Sequence, residues 1–197
     1  MGKRKLLQLL CMLLSLAVQA QTATGHLKFK GVPMDGPVDE FVEKIKGTDL
    51  QVVDKFDDAT MLTGTFAGYR NCKVFVYPSK GNGHVRMVGV TFDLQETWPD
   101  LYSNYLSLKT MLTKKYGEPA KCKEVFDWPS EPDDHTKIYL VQTDRCKYSS
   151  DFETLEGFIT LSITHLKVDY LDVCFVSVTY IDKQNFQEDQ SSAMDDL

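Results

Sequence analysis

Histidine is scarce in this chain, four in 197 residues, and the patterns that announce common enzymes are missing. There is no Gly-x-Ser-x-Gly elbow, no His-Glu-x-x-His pair and no Walker loop, so three familiar routes to hydrolysis lack a signature. Gly81-Asn82-Gly83 is glycine-rich, but strand-like residues follow it, whereas a phosphate cradle needs a helix N-terminus. It reads as a turn. Beyond residue 5 no run of Lys and Arg exceeds two residues, and acidic side chains outnumber basic ones 28 to 22. A net charge of −6 is repelled by phosphate backbones and anionic lipid, so nucleic acid is not the expected partner. The absence of Cys-x-x-Cys removes a thioredoxin-like redox site and a zinc ribbon. Glu131-Pro132-Asp133-Asp134-His135 is the best metal candidate, yet its spacing fits neither a twelve-residue calcium loop nor a paired-His site. It reads as a solvated acidic loop, and neither metal nor cofactor is expected.

What is present begins with an export signal over 1–20. Lys3, Arg4 and Lys5 form a basic head, Leu6 to Val18 is almost free of polar residues, and Val18-Gln19-Ala20 offers small side chains at the cut. The run falls short of the ~20 apolar residues that span a bilayer, so no membrane insertion is expected after cleavage. Cys11 lies mid-run behind Leu10, where lipid attachment is not expected. Cleavage removes three basic residues and no acidic ones, leaving 19 against 28, a net −9. The expected product is periplasmic or secreted and begins near Gln21.

Cys72, Cys122, Cys146 and Cys174 survive that cut. An even count in an exported chain points to disulfides, with three pairings open. A hairpin centred near Asp134 would bring Cys122 opposite Cys146.

Two segments carry helical period. Val38, Phe41, Val42 and Ile45 share one face, with Pro37 at the start and Gly47 as a left-handed stop. Thr97 with Asp100 can cap a longer helix whose stripe is Leu101, Tyr105, Leu108, Leu112 and Tyr116, ended by Gly117 and Pro119. Each helix precedes strand-like text. The first is followed by 50–55, 61–69, 73–77 and 85–92, the second by 122–126, 137–143, 158–166 and 171–180. The closing strands are alike, Val88-Gly89-Val90-Thr91-Phe92-Asp93 against Val176-Ser177-Val178-Thr179-Tyr180-Ile181-Asp182. The pattern predicts an α+β fold of two tandem αββββ repeats, with both helices on one face of an antiparallel sheet. The repeats span 21–94 and 95–183, and 184–197 reads as a disordered acidic tail.

This order of elements resembles the beta-lactamase inhibitor protein fold and the small periplasmic modules of outer-membrane assembly lipoproteins. The phrases Leu108-Lys109-Thr110-Met111-Leu112-Thr113-Lys114-Lys115-Tyr116-Gly117-Glu118-Pro119 and Met61-Leu62-Thr63-Gly64-Thr65-Phe66-Ala67-Gly68 resemble text in uncharacterised exported proteins of Gram-negative bacteria. The resemblance implies a tandem α–β repeat across nearly the whole mature chain. No inhibitory residue of that family maps onto a position here.

Function is sought on the sheet face away from the helices. Alternation along 61–69 sends Leu62 and Phe66 one way and Met61, Thr63, Thr65 and Tyr69 the other, with Phe75, Tyr77 and Met87 sharing the second face. An aromatic-rich open face suits a protein partner. Trp128, beside Pro129 in a loop, is a further surface candidate, whereas Trp98 staples the start of its helix. His165 follows the Ile159, Leu161, Ile163 register and could pair with Asp169 or Asp172 as a base. The leading expectation is a non-enzymatic protein-binding module. The alternative is a small-ligand binder or hydrolase-like enzyme with its site between the repeats.

Overall fold

The structure, a computed structural model, describes residues 25–195, so the expected signal peptide lies outside the described residues. A ribbon of β1 (Lys28–Phe29) and β2 (Val32–Pro33) leads into α1 (Val38–Lys46), β3 (Leu50–Lys55), β4 (Thr60–Phe66), β5 (Tyr69–Pro78) and β6 (Val85–Thr91). Then come α2 (Trp98–Tyr116), β7 (Lys121–Phe126), α3 (Asp134–Gln142), β8 (Cys146–Glu153), β9 (Gly157–Val168), β10 (Leu171–Asp182) and α4 (Lys183–Asp195). The fold is mixed α+β. Eight strands form one antiparallel sheet in the order β3-β4-β5-β6-β10-β9-β8-β7.

The two periodic segments fold as their spacing predicts. In α1, Phe41, Val42 and Ile45 are buried, with Asp39 and Glu40 in the first turn and Lys44 and Lys46 in the last, matching the helix dipole. Its stop differs from expectation: Gly47 has φ −71°, and the left-handed residue is Asp49 at φ 64°. In α2, the Thr97 hydroxyl accepts the Asp100 N–H at 3.3 Å, and Gly117 at φ 88° ends the helix. Leu101, Tyr105, Leu108 and Leu112 are buried, joining the α1 side chains and the sheet in one core cluster.

The sheet shows its two faces through its register. Leu62, Val74, Val90, Val178, Leu161 and Ser150 are successive partners across six strands, and all are buried. The neighbouring row, Met61, Phe75, Gly89, Thr179, Thr160 and Asp151, is only partly buried throughout. A strand places successive side chains on opposite faces, so this second row is the face turned from the core.

Three expectations are corrected. Residues 137–143, read as a strand, belong to α3, where Asp133 caps the helix by accepting the Thr136 N–H at 2.7 Å. Leu140 and Val141 are its buried pair. The strand that follows, β8, was not anticipated, because only Ser150 and Phe152 of its eight residues are buried. The third correction concerns the C-terminus, expected to be disordered. Here α4 is tied to the body by Asn185, whose side-chain amide donates to the Met34 and Val85 carbonyls, each at 2.9 Å. Asp189 adds hydrogen bonds from the Ser79 hydroxyl and, at 3.1 Å, from the Lys80 N–H.

Candidate functional site

The partly buried face of β5 and β6 gathers most of the aromatic side chains expected there. Pairing places Phe75 opposite Gly89 and Tyr77 opposite Met87, while Met61 flanks Phe75 and Ile181 flanks Met87. The Phe75 and Tyr77 rings lie side by side, centroids 6.5 Å apart with 28° between their planes. Gly89 lies beside these rings, and a Cβ there would make an ordinary contact with the Tyr77 ring at 3.9 Å. Burial raises the Tyr77 hydroxyl above its ordinary pKa, and the Asp58 charge adds to the effect. The result is an apolar strip with a neutral phenol along it.

Beyond Phe75 the strip widens into a groove of about 490 Å³ lined by Phe75, Thr91, Leu94, Leu166, Val173 and Phe175 among others, none of them from a helix. Leu94 and Leu166 are more than half exposed, and Tyr170 at the β9–β10 turn is 97% exposed. Phe175, Val173 and Leu166 were not anticipated. Residues 173–176 are continuously apolar, so alternation did not sort the two faces, although Thr179 and Ser177 two places on give the register.

Two expected members are elsewhere. Tyr69 packs with the core, its ring 5.1 Å from that of buried Phe92, because the ladder shifts between Gly64 and Phe66 and Asn71 adopts φ 55°. A single such irregularity moves every following side chain to the other face. Trp128 lies after β7, on the far edge of the sheet, with the Arg145 guanidinium 5.0 Å over its ring. The structure brings Phe75, Tyr77 and Met87 together and separates Tyr69 and Trp128 from them.

Among the described residues the cysteines, Cys72, Cys122, Cys146 and Cys174, are free thiols. In the β7–β8 ladder Cys122 faces Ser150 and Cys146 faces Phe126, so the anticipated Cys122–Cys146 pair is offset by four positions, about 13 Å along a strand. That exceeds the ~7 Å Cα limit for a disulfide. Cys146 is pushed up to about 12 by burial and the nearby Cys174, and Cys174 to about 11 by burial and Asp172. Burial also raises Cys72.

Chemically loaded side chains meet in a second place, between α2 and the β7 edge. Lys109 Nζ lies 2.6 Å from Glu124 Oε1 and 3.2 Å from Cys122 Sγ. The Tyr105 hydroxyl is 2.7 Å from Ser150 Oγ and donates to Glu124 at 3.1 Å. Every polar group in this network has a partner, which fits a strap holding the edge strand to α2. His165 sits on the helix side near the strand end, its Nε2 3.3 Å from Asp144 Oδ1 and its Nδ1 3.7 Å from Asp172 Oδ1. Asp169, the other acid considered for it, sits in the β9–β10 turn at φ 55°. The thiol opposite His165, Cys174, is held protonated by burial and is a poor nucleophile.

Among the described residues no group of three or more His, Cys, Asp or Glu side chains is placed to hold a metal ion. Glu131 and Asp134, from the acidic loop, pair instead with Lys137. Among the same residues no helix is long and apolar enough to cross a membrane. Comparison of the chain with protein-family models, curated proteins and solved structures finds no match.

Proposed function

We propose that this protein is an exported, non-enzymatic module that recognises another protein through the open face of its sheet. The observation that carries the reading is the Phe75–Tyr77 pair with Met87, partly exposed and leading into an apolar groove that no helix residue lines. Aromatic rings on a rigid sheet supply contact area at small entropic cost, the usual physical basis of a protein-binding surface.

Export rests on residues 1–20 and places the protein in the periplasm or outside the cell. The strand order supports a tandem of two αββββ units like that of the beta-lactamase inhibitor protein fold. The series β3 to β6 and β7 to β10 start at opposite edges and meet at their last strands. There Val88, Gly89, Val90 and Thr91 lie against Tyr180, Thr179, Val178 and Ser177. On this reading α3 is an insertion between the first two strands of the second unit.

Thr179 lies at the centre of the open face, opposite Gly89. The test is affinity capture from native periplasm, with the wild-type chain and a Thr179→Arg variant as baits. An Arg projecting from that position is expected to abolish capture without changing the unfolding midpoint. Capture unchanged by the substitution defeats the proposal. A second reading, a small-ligand binder with its site between the two units, is favoured by cavities on the helix side.

A further inference from the structure

The helix side of the molecule holds two adjoining cavities beside α2, of about 610 Å³ and 240 Å³. Their shared wall carries Lys28 from β1 and Lys115 from the last turn of α2. The smaller cavity is apolar within, lined by Phe66, Met111, Leu112 and Tyr180, and Lys30 stands at its rim. Three lysines converging on one apolar cavity stand out in a chain of net charge −6.

Their present partners do not neutralise them. Lys30 Nζ donates to the Thr65 carbonyl at 3.0 Å, and Lys115 Nζ lies 4.8 Å over the Tyr116 ring. Among the described residues neither these two nor Lys28 forms an ion pair. Glu153 and Glu156 line the larger cavity. An anion is therefore best placed at the wall common to both cavities, not deep in the larger one. A largely apolar cavity with lysines in its lining matches a molecule with an apolar chain and an anionic head.

We propose that these cavities bind a single-chain carboxylate amphiphile, its tail between α2 and β10 and its carboxylate at Lys28 and Lys115. The site is on the opposite side of the sheet from the proposed protein-binding face, so either can fail without the other. Neither half of the recognition suffices alone. The apolar wall gives burial of the chain, and the lysines distinguish a charged head from a neutral one.

The test is calorimetric titration of the protein, as exported by the cell, with sodium dodecanoate below its micelle threshold. Dodecyl maltoside and acetate serve as the chain without charge and the charge without chain. Saturable binding is expected for dodecanoate only. Replacing both lysines (Lys28→Gln with Lys115→Gln) should weaken it about tenfold, the loss of one charge-assisted hydrogen bond or more. Met111 is exposed at 45%, so Met111→Glu puts a repelling carboxylate at the slot while leaving the core intact, and it should abolish binding. Unchanged unfolding midpoints in both variants tie these losses to the site. Absence of dodecanoate binding to wild type overturns the proposal. So do equal binding of dodecyl maltoside and indifference to the lysine replacements.

Discussion

Asp182 is the residue where the N-terminal segment, the last strand and the C-terminal helix are joined, and its removal has a calculable consequence. Its side chain is fully buried. One carboxylate oxygen accepts the Leu27 N–H at 2.8 Å; the other accepts the Asn185 N–H at 2.9 Å and faces His26 Nδ1 at 3.1 Å. In Asp182→Ala two buried backbone donors lose their acceptor. Each unsatisfied group costs about 1–3 kcal/mol, partly offset because a buried carboxylate no longer has to be desolvated. The expected loss is about 2–4 kcal/mol. Urea unfolding followed by circular dichroism measures it, and with a slope near 2 kcal/mol/M the midpoint should fall by roughly 1–2 M. Asp182→Asn keeps one acceptor oxygen and is expected to fall between. Amide exchange at Leu27 and Asn185 should accelerate ahead of the sheet in Asp182→Ala, and at only one of the two in Asp182→Asn. A loss under ~1 kcal/mol in Asp182→Ala, with exchange at both amides unchanged, refutes the clamp.

Leu108 is 2% exposed on the buried face of α2, so Leu108→Ala should cost ~2–5 kcal/mol in denaturant melts, and a change near zero contradicts its packing. Burial alone would raise the Glu124 carboxyl, but hydrogen bonds from Lys109, Tyr105 and Cys122 outweigh it and hold the group below the usual carboxylate range. A depressed folded pKa contributes stability above the unfolded value of ~4.3 and loses it as pH falls through the folded value, so Glu124→Gln should lose stability less steeply below ~pH 5 than wild type. Parallel stability curves over that range contradict the network. Of Cys72, Cys122, Cys146 and Cys174, only Cys122 is exposed, so at pH 8 a thiol reagent should label it first. Buried Cys72 and Cys174 should react only in denaturant and half-buried Cys146 more slowly than Cys122, and either buried thiol reacting as fast as Cys122 contradicts its burial.

The parts of the fold legible in the sequence are those where one local signal acts alone. The stripe of α2 from Leu101 to Leu112 and its Thr97 cap needed only 3.6-residue spacing and an N-cap pair. Ile138, Tyr139, Leu140 and Val141 form a short apolar run whose period does not separate helix from strand, and packing beside α2 and β9 decides it. In β8 the sequence Lys147-Tyr148-Ser149-Ser150-Asp151 looks polar, although Ser150 is buried against the Tyr105 hydroxyl. The tail reads as solvated from its charges because its anchors are one amide, Asn185, and one carboxylate, Asp189. Both find partners a hundred residues or more away in sequence, at Val85 and Ser79. Half of the candidate site was readable for the same reason: Phe75, Tyr77 and Met87 alternate cleanly. Tyr69 was misplaced by a bulge that the letters do not mark, and Phe175 was hidden in an unbroken apolar run.

The most direct measurement for the central claim takes two readings on one substitution, Tyr77→Ala. Stability in urea reports whether the ring is core, and affinity for the captured partner reports whether it is interface. An open binding face predicts a stability change of about 1 kcal/mol or less, the scale of a cross-strand pair, with affinity weakened at least about tenfold. A loss of several kcal/mol in stability, with affinity unchanged in the variant that remains folded, contradicts the claim and makes this face part of the core.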